Sequence, residues 1–327
     1  MVRTGAHVYV KYGWEGSTYG TLASGKSADK KFGLQDKVST LTLTNNKVNL
    51  NKLNQNTVDK FAYGQQSGTA SMSFTLSNPW IFGTVLGAPT TAGSNPYTHT
   101  YPQTAGLPKT SRTIQIELGY DGVSADIVRT LKGGLVGSIA INAAVGGLVD
   151  CSADVTYGKE SAPSTSLGTA PTKPTVEFPY TFAHAELFFG GAEVLQCQDV
   201  SLNISQNAEL LYGLNSHQAV DSYKRVLDLT GSFKASWINK DLLEKLLAQI
   251  SQDTAGAYQE TIGGGATEFR LTFEKSSTEK IVISCTGITL NDLGISGLEP
   301  VEPVFQDISY TAKTISVVAT NTTSAEE

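Results

Sequence analysis

Thr40-Leu-Thr-Leu-Thr-Asn-Asn46 and Ser201-Leu-Asn-Ile-Ser-Gln-Asn207 are two versions of one pattern, 161 residues apart in a chain of 327 residues. Both stretches alternate polar and apolar residues, which is typical of a β-strand with one buried face. A matching pair of strands at this distance indicates an internal repeat, and a repeat determines how the rest of the chain is interpreted.

Four further blocks match in the same order in both halves of the chain. They pair residues 68–74 with 231–237, 113–118 with 268–273, 126–128 with 280–282, and 154–157 with 307–310, at offsets of 163, 155, 154 and 153 residues. The polar and apolar residues keep the same strand faces in the two copies. The shared order and the small drift of the offset predict a tandem duplication.

The predicted domains are a first copy over residues 1–157, a linker over 158–177 and a second copy over 178–327. The linker is rich in Ser, Thr, Pro and Gly and has little apolar surface to bury, so we expect it to be exposed. A chain of 327 residues is also long enough for two domains that each bury a core.

A short helix is predicted after the second shared strand of each copy. In the first copy, Asn78 is expected to cap the helix, Pro79 to occupy its first turn and Gly87 to end it in a left-handed conformation. In the second copy, apolar residues recur at helical spacing between residues 242 and 250. The predicted fold class is therefore mainly β, a β-sandwich or split barrel with one flanking helix per domain. The large aromatic residues at matched or nearby positions are expected to fill the core: Trp80, Tyr157, Trp237 and Tyr310.

The composition argues against several classes of function. A formal net charge of −6 leaves no global basic field for tight phosphate binding by counterion release. Cys151, Cys197 and Cys285 are an odd number without paired spacing, and we expect them to be core thiols. The N-terminal segment lacks the apolar run of a signal peptide, and glycines interrupt the longest apolar stretch, residues 133–151. Neither export by a standard signal nor membrane insertion is expected.

One stretch, Gly20-Thr-Leu-Ala-Ser-Gly-Lys26-Ser27, satisfies the pattern of a phosphate-binding loop. Such a loop must follow a buried strand and open a helix, whereas here Gly13-Trp-Glu-Gly-Ser-Thr-Tyr19 precedes it and no apolar helical stripe follows. The sequence therefore favours a mobile surface loop over a nucleotide site.

No arrangement of residues predicts catalysis. The four histidines, His7, His99, His184 and His217, are scattered without metal-ligand spacing, and His7 and His184 occupy comparable places in the two copies. The chain has no G-x-S-x-G elbow and no Cys/His arrangement that suggests a nucleophile and its base. A pair of carboxylates distant in sequence stays open. We predict no catalytic, cofactor-binding or metal-binding residues, and no enzyme activity.

The order of these blocks resembles that of the tail tube (major tail) proteins of tailed bacteriophages and archaeal viruses. The segments that carry the resemblance are residues 40–46, 68–74, the Asn78-Pro79 helix, 113–118 and 154–157, and the second copy repeats the same order. The resemblance implies domains assembled in rings whose sheets join into an inner barrel, with the rings stacked as a conduit for the genome. Because single-domain members form six-fold rings, it also implies that three chains of this duplicated protein make one ring.

Further expectations follow from this resemblance. Asp154 and Asp307 lie on the polar face of the closing strands and are the candidate lumen residues, with a solvated outer face as the alternative. The segments 13–33 and 45–60 are candidates for contacts between rings or plain surface loops. The expected partners are further copies of the chain, viral DNA that passes without specific binding, and a terminator, tape measure and tail tip. The expected location is the virion tail, after synthesis in the host cytoplasm.

Three other interpretations stay open. A two-domain binding module or adhesin would bind sugars through exposed aromatic residues, although no signal peptide is evident. An enzyme that uses dispersed carboxylates would lose turnover when one acidic pair is replaced. A tail terminator or baseplate protein would share the fold but form one ring and stop.

Overall fold

The computed structural model of the chain describes residues 8–24, 28, 30–51, 57–102, 113–120, 127–161, 178–190, 192–194, 196–236, 268–297 and 303–323. The strands of the first half are β1 (Val8–Trp14), β2 (Leu34–Asn51), β3 (Val58–Thr75), β4 (Thr90–Gly93), β5 (Tyr97–Pro102), β6 (Ile114–Tyr120), β7 (Ile127–Ala144), β8 (Val149–Tyr157) and β9 (Lys159–Glu160). Those of the second half are β10 (Ala185–Phe189), β11 (Ala192–Glu193), β12 (Cys197–Ser205), β13 (Glu209–Tyr212), β14 (Ala219–Tyr223), β15 (Asp228–Ser236), β16 (Phe269–Ser276), β17 (Glu279–Thr286), β18 (Thr289–Ser296), β19 (Phe305–Ala312) and β20 (Thr314–Asn321). The helices among the described residues are α1 (Ile81–Leu86) and a 3-10 turn, Phe182–His184.

Two antiparallel sheets contain most of these strands. Eight strands of the larger sheet form one ladder in the order β18-β19-β15-β12-β7-β8-β3-β2, which we call the eight-strand ladder. Strands β6 and β9 pair with the first part of β7, and β1 pairs with β6. The second sheet runs β11-β10-β16-β17-β20-β5-β4, and β13 and β14 form a separate hairpin. The prediction of a mainly β fold is confirmed.

The chain changes direction at one glycine in each half, next to the ladder. Gly133, with φ of 65°, lies where β7 leaves its pairing with β6 and begins to pair with β8. Gly287, with φ of 66°, lies between β17 of the second sheet and β18 of the ladder, whereas β7 continues through Gly133 as one strand. An L side chain rarely adopts this backbone conformation, so glycine is required at both positions.

The core lies between the ladder and the second sheet. Phe233 on the ladder contacts Phe189 and Phe269 on the second sheet, with ring centroids 5.6 and 6.3 Å apart. The buried positions alternate along the ladder strands, as a half-buried strand requires. The predicted core aromatics Tyr157 and Tyr310 are both fully buried. Trp80 is only partly buried, and Trp237 lies outside the described residues.

Each of these two tyrosines covers a glycine on the neighbouring strand. Gly68 pairs with Tyr157, and Gly231 pairs with Tyr310. A Cβ atom placed on Gly68 would lie 2.0 Å from the Tyr157 ring, and one on Gly231 would lie 2.4 Å from the Tyr310 hydroxyl. Only a residue without a side chain allows the ring to lie this close to the sheet, and the arrangement is the same in both halves.

The first helix is shorter than predicted. α1 begins at Ile81, and its six residues are all buried. Asn78 Oδ1 accepts a hydrogen bond of 3.2 Å from the Trp80 amide, so Asn78 bonds to the residue just before the helix. Gly87 follows the helix with φ of 120°, a positive value that favours glycine. The helix predicted within residues 242–250 lies outside the described residues.

Two segments predicted to be loops contain regular structure. Strand β2 continues to Asn51 and β3 begins at Val58, so most of residues 45–60 belongs to a long hairpin. Strand β1 extends through Trp14, and its Tyr12 bridges to Lys30. The prediction of a loop was wrong for most of residues 45–60, because the residues here are held by cross-strand pairing that local sequence does not reveal. The described part of residues 15–33 lies in turns, bends and isolated bridges, as a loop would.

Candidate assembly surface

The eight-strand ladder repeats one strand order twice. From one edge it runs β2, β3, β8, β7 and continues as β12, β15, β19, β18. The sequence-matched segments lie at corresponding positions in the two series: β2 with β12, β3 with β15, and β8 with β19. The ladder therefore has one central junction, between β7 and β12, and two outer edges, β2 and β18.

The central junction is a continuous antiparallel pairing in which residues 199–205 face residues 138–144. Ile204 lies opposite Ile139, and these two side chains are 0% and 1% exposed. The junction thus joins the two halves of the ladder through backbone hydrogen bonds and a row of buried apolar side chains.

The outer edges carry similar side chains without a partner strand among the described residues. Leu43 on β2 is 38% exposed, and Ile295 on β18 is 37% exposed. Strand β2 pairs only with β3, and β18 pairs only with β19, in the described part of the chain. An exposed strand edge with apolar side chains is a template for pairing with another chain.

One face of the ladder is polar from edge to edge, and we call it the polar face. Small hydroxyl and amide side chains dominate it, such as Thr42, Ser71, Ser138, Asn203 and Ser309. Its aspartates are Asp150, Asp154, Asp199, Asp228, Asp292 and Asp307, and its lysines are Lys37 and Lys234. The charged groups on this face are thus mainly acidic.

The two aspartates singled out from the sequence are exposed on this face. Asp154 accepts hydrogen bonds from Ser71 Oγ at 2.6 Å and from Ser138 Oγ at 2.9 Å. Asp307 accepts a hydrogen bond of 3.0 Å from Ser296 Oγ, and Lys234 Nζ lies 3.8 Å from it. Both carboxylates are therefore held by side chains of neighbouring strands, at the matched positions of β8 and β19.

The hairpin of β2 and β3 extends past the ladder as an arm, which we define as residues 45–51 and 58–66. Its apolar side chains are solvent-exposed on both faces: Val48 58%, Leu50 47%, Phe61 54% and Tyr63 70%. Exposed apolar side chains on both faces of a hairpin are typical of a contact surface rather than of a solvated loop.

The base of the arm is held by the β13–β14 hairpin. Tyr212 Oη donates a hydrogen bond of 2.7 Å to the Gln66 carbonyl, and the Gln66 amide donates one of 2.7 Å to the His217 carbonyl. The β13–β14 hairpin lies between the two strands that match β2 and β3, and it packs back on the first half, where Ala219 is fully buried. The same place in the chain therefore gives a docked hairpin in one half and a projecting arm in the other.

The candidate phosphate loop forms a hydrogen bond within the fold. The buried Glu15 carboxylate accepts hydrogen bonds from the Gly20 amide at 2.9 Å and from the Gly133 amide at 2.7 Å. A backbone amide that a phosphate would need is thus already bonded to a carboxylate, which would also repel an anion. The described part of the segment is tied into the fold, contrary to the prediction of a mobile loop. Lys26 and Ser27 lie outside the described residues.

The histidines have structural contacts. His99 is buried and bonds to Thr91 Oγ1 at 2.8 Å, and His184 Nδ1 accepts a hydrogen bond of 3.1 Å from the Thr181 amide. His217 Nδ1 lies 3.2 Å from the Gly64 carbonyl, and His7 lies outside the described residues. Within the described ranges, no group of three His, Cys, Asp or Glu side chains could hold a metal ion.

The thiols are poor nucleophiles. Burial raises the pKa of Cys197 to about 11 and that of Cys285 to about 12, and it raises the pKa of Cys151 further. A thiol reacts as its thiolate, so these groups are largely unreactive near neutral pH. Cys151 and Cys285 are core thiols as predicted, whereas Cys197 is only half-buried.

Comparison with known families agrees with this architecture. Residues 5–312 match the model of the family described as phage tail tube protein. The match covers nearly the whole chain, and the chain belongs to this phage tail tube protein family. No curated protein matches the sequence. The family defines the chain as a structural component of the virion tail, a class that associates with itself and with other tail proteins. None of the described helices is long and apolar enough to span a membrane.

Proposed function

We propose that three copies of this chain close into a ring, and that these rings stack into the tail tube that conducts the viral genome. The observation that carries this proposal is the repeated strand order of the ladder, which leaves β2 exposed at one edge and β18 at the other. The two edges differ, so pairing one with the other is head-to-tail, and a head-to-tail contact forms a closed ring when the rotation closes.

The proposal rests on the two halves being copies of one tube domain, with boundaries at residues 1–157 and 178–327. Three features support this equivalence. The strand order repeats in the ladder, each half has a glycine with positive φ just before a strand begins its pairing within the ladder, and each half covers a glycine with a tyrosine. Three chains then supply six equivalent domains and a ring of pseudo-six-fold symmetry.

The polar face is the proposed lumen surface, with Asp154 and Asp307 among its residues. The other face of the ladder packs on the second sheet and cannot also line a channel. Three eight-strand ladders would give a barrel of about 24 strands, with a backbone diameter of roughly 48 Å at a spacing of about 4.8 Å and a tilt of about 40°. That is wide enough for a DNA duplex, and a mainly acidic wall would not hold its phosphates.

Stacking of rings is assigned to the arm. The arm extends from one end of the ladder, and a groove lined by Ala143, Val145, Phe182, Leu187 and Val194 lies at the opposite end of β7. Axial stacking brings opposite ends of two rings together, so the exposed apolar arm would meet a groove whose lining combines apolar side chains with Glu186, Glu193 and Asp199. Burial of Phe61 and Tyr63 there would stabilise the tube by removing their side chains from water.

Negative-stain electron microscopy of the purified full-length chain tests the function. We expect hollow tubes with a regular axial repeat and three chains in each ring. A monomer that persists at high concentration would overturn the proposal. Single rings that never stack would instead favour a tail terminator or baseplate protein, and sugar binding by a persistent monomer would favour the adhesin interpretation.

A pair of variants separates stacking from ring closure. Phe61→Asp combined with Tyr63→Asp should leave rings that do not stack, because a charge cannot be buried unpaired in an apolar contact. Val226→Asp is the matched control, since Val226 is 76% exposed and lies outside the arm. Normal tubes from the arm variant would show that the arm does not join rings.

The proposed tube also implies the other partners of the chain. Viral DNA would pass through the lumen without specific binding, and the tape measure is a further expected partner. The terminator and tail tip would cap the two ends, where one ring surface is left without a neighbour. The chain would be made in the host cytoplasm and assembled there.

A further inference from the structure

We infer that the hairpins at corresponding places in the two halves have different roles: the arm joins rings, whereas the β13–β14 hairpin is a latch that locks the two halves of its own chain together. Each ring then presents three stacking arms and not six. This inference rests on the proposed tube and adds the number and symmetry of the contacts between rings.

The arm and the latch are two versions of one repeated element. They lie between the same two matched strands, within residues 47–67 of the first half and 208–230 of the second. In these stretches Leu53-Asn54 matches Leu214-Asn215, and Val58-Asp59 matches Val220-Asp221, at offsets of 161 and 162 residues. Because place and sequence correspond, a difference in surroundings indicates a difference in role.

The turn of the latch is hydrogen-bonded to the first half at two places. The Gln66 amide donates a bond of 2.7 Å to the His217 carbonyl, and Tyr212 Oη donates one of 2.7 Å to the Gln66 carbonyl. The Ala219 amide donates a bond of 3.3 Å to the Gly158 carbonyl. The latch is therefore connected both to the base of the arm and to the segment that follows β8.

The contact at Gly158 is closely packed. Ala219 is fully buried there. A Cβ atom placed on Gly158 would lie 2.5 Å from Tyr19 Oη and nearer still to Ala219 Cβ. Any side chain at residue 158 would therefore force the latch or Tyr19 to move, so glycine is needed for the latch to lie down.

The other end of the latch is bonded to the helix of the first half. Lys224 Nζ donates a hydrogen bond of 2.6 Å to the Thr84 carbonyl and a longer one of 3.4 Å to the Val85 carbonyl, in the last turn of α1. A cation at a helix C-terminus is favourable, because the unpaired carbonyl groups there are partly negative. The latch thus contacts the first half along its length.

The exposed side chains of the two hairpins also differ. The solvent-exposed part of the latch includes an ion pair between Arg225 and Glu209, whose side chains are 57% and 39% exposed. Such a pair is well hydrated, and its burial in an apolar contact would cost desolvation energy. At the arm, Phe61 and Tyr63 are 54% and 70% exposed. The arm therefore has the more apolar surface of the two.

These differences determine the symmetry of stacking. Each chain has one arm, so a ring of three chains has three arms spaced by about 120°. The three latches are held within their own chains and do not reach the next ring. Neighbouring rings are then joined by three contacts, although the ladder strands repeat six times around the barrel.

Cryo-electron microscopy of tubes of the full-length chain, reconstructed without symmetry imposed within a ring, counts these contacts. We expect three arms crossing each boundary between rings. Six equal contacts would overturn the inference and leave the proposed tube intact. Absence of tubes would overturn the proposed function itself.

A matched pair of double variants tests which hairpin stacks. Leu214→Asp with Val220→Asp changes two latch residues that are 102% and 49% exposed, and it should leave tube formation unchanged. Phe61→Asp with Tyr63→Asp changes the arm and should stop stacking. Loss of stacking from the latch variant would overturn the inference.

Limited trypsin digestion of the monomeric full-length chain tests the latch directly. Cleavage after Lys47 and Lys60 of the arm should be at least about tenfold faster than cleavage after Lys224 and Arg225, because cleavage requires local opening of the hairpin. Mass spectrometry identifies the sites. Equal rates at the two hairpins would overturn the latch.

Two substitutions should release the latch. Gly158→Val should speed cleavage after Lys224 by about tenfold, because the new side chain meets Ala219. Tyr212→Phe removes only one hydroxyl group and should act in the same direction, which keeps the test valid if Gly158→Val does not fold. Gly213→Ala is the control, since its Cβ would lie no nearer than 3.5 Å to Val220. Unchanged cleavage in both variants would overturn the latch.

Discussion

The central junction and the outer edges of the ladder are built from corresponding strands, yet they differ in what covers them. At the junction, Ile204 and Ile139 bury each other, whereas at the edges Leu43 and Ile295 remain more than a third exposed. The side chains are similar in size and polarity, so the difference comes from the presence of a neighbouring strand. The comparison teaches that an isolated chain contains one completed seam and two uncovered edges, which the proposed ring would join.

The largest expected effect distinguishes the two kinds of seam in the monomer. Ile204→Ala should lower the free energy of unfolding by about 2–5 kcal/mol, because it leaves a cavity at a fully buried site. Leu43→Ala should change it by less than about 0.5 kcal/mol, because the site is exposed before assembly. Urea unfolding at concentrations that keep the chain monomeric measures both. Equal losses would show that the edge is already covered within one chain.

The next effect compares the glycine–tyrosine pairs of the two halves. Gly68→Ala and Gly231→Ala should each destabilise the chain by about 1–3 kcal/mol, since the new methyl group meets a tyrosine ring that must move. Gly294→Ala is the control, because its Cβ would make only ordinary contacts, no nearer than 3.7 Å to Asp307. Thermal unfolding of the three variants checks the prediction. A tolerated change at one site alone would weaken the equivalence of the halves.

A smaller effect separates the two tyrosines themselves. Tyr157 Oη donates a hydrogen bond of 3.1 Å to the Thr42 carbonyl, whereas Tyr310 Oη has no hydrogen-bond partner among the described residues. Burial and the neighbouring Glu160 raise the pKa of Tyr157 to about 12, so its hydroxyl stays protonated and able to donate near neutral pH. Tyr157→Phe should therefore cost about 1 kcal/mol, and Tyr310→Phe should be neutral or slightly stabilising.

Chemical denaturation of the two phenylalanine variants, side by side, measures this difference. Both variants keep the aromatic ring and its packing over the glycine. The measured difference therefore reports on the hydroxyl group alone. A larger loss from Tyr310→Phe than from Tyr157→Phe would contradict the hydrogen-bond assignment.

The smallest expected effect concerns the reactivity of the cysteine thiols and not the stability of the chain. At pH 8, Cys197 at the start of β12 should be alkylated slowly and Cys151 and Cys285 not at all in the folded chain. Since the pKa of Cys197 is raised to about 11, its rate should rise as the pH approaches that value and the thiolate fraction grows. Mass spectrometry after iodoacetamide treatment identifies the modified residue. Early modification of Cys285 would show that the second half opens more readily than its burial implies.

Much of the ladder could be predicted from the sequence because alternation is a local property. The pattern at residues 154–157 and 307–310 predicts strands with Asp154 and Asp307 on the polar face, and both carboxylates lie there. The same local reasoning failed at residues 45–60, where cross-strand pairing continues β2 and β3 through polar residues. It also missed Leu43 and Ile295, because an apolar residue on an edge strand has the same pattern as one in the core.

The sequence by itself determined the β class, the polar and apolar faces of the matched strands, and the order of the repeated blocks. Only the tertiary structure decided which strands are neighbours, that β7 meets β12 in the middle, and that β2 and β18 are left at the edges. It also decided that the Glu15 carboxylate accepts a hydrogen bond from the Gly20 amide, where the sequence motif suggested that a phosphate binds. The physical reason is that side-chain alternation depends on adjacent residues, whereas strand pairing joins residues far apart in the chain and is selected by the burial that the whole fold achieves.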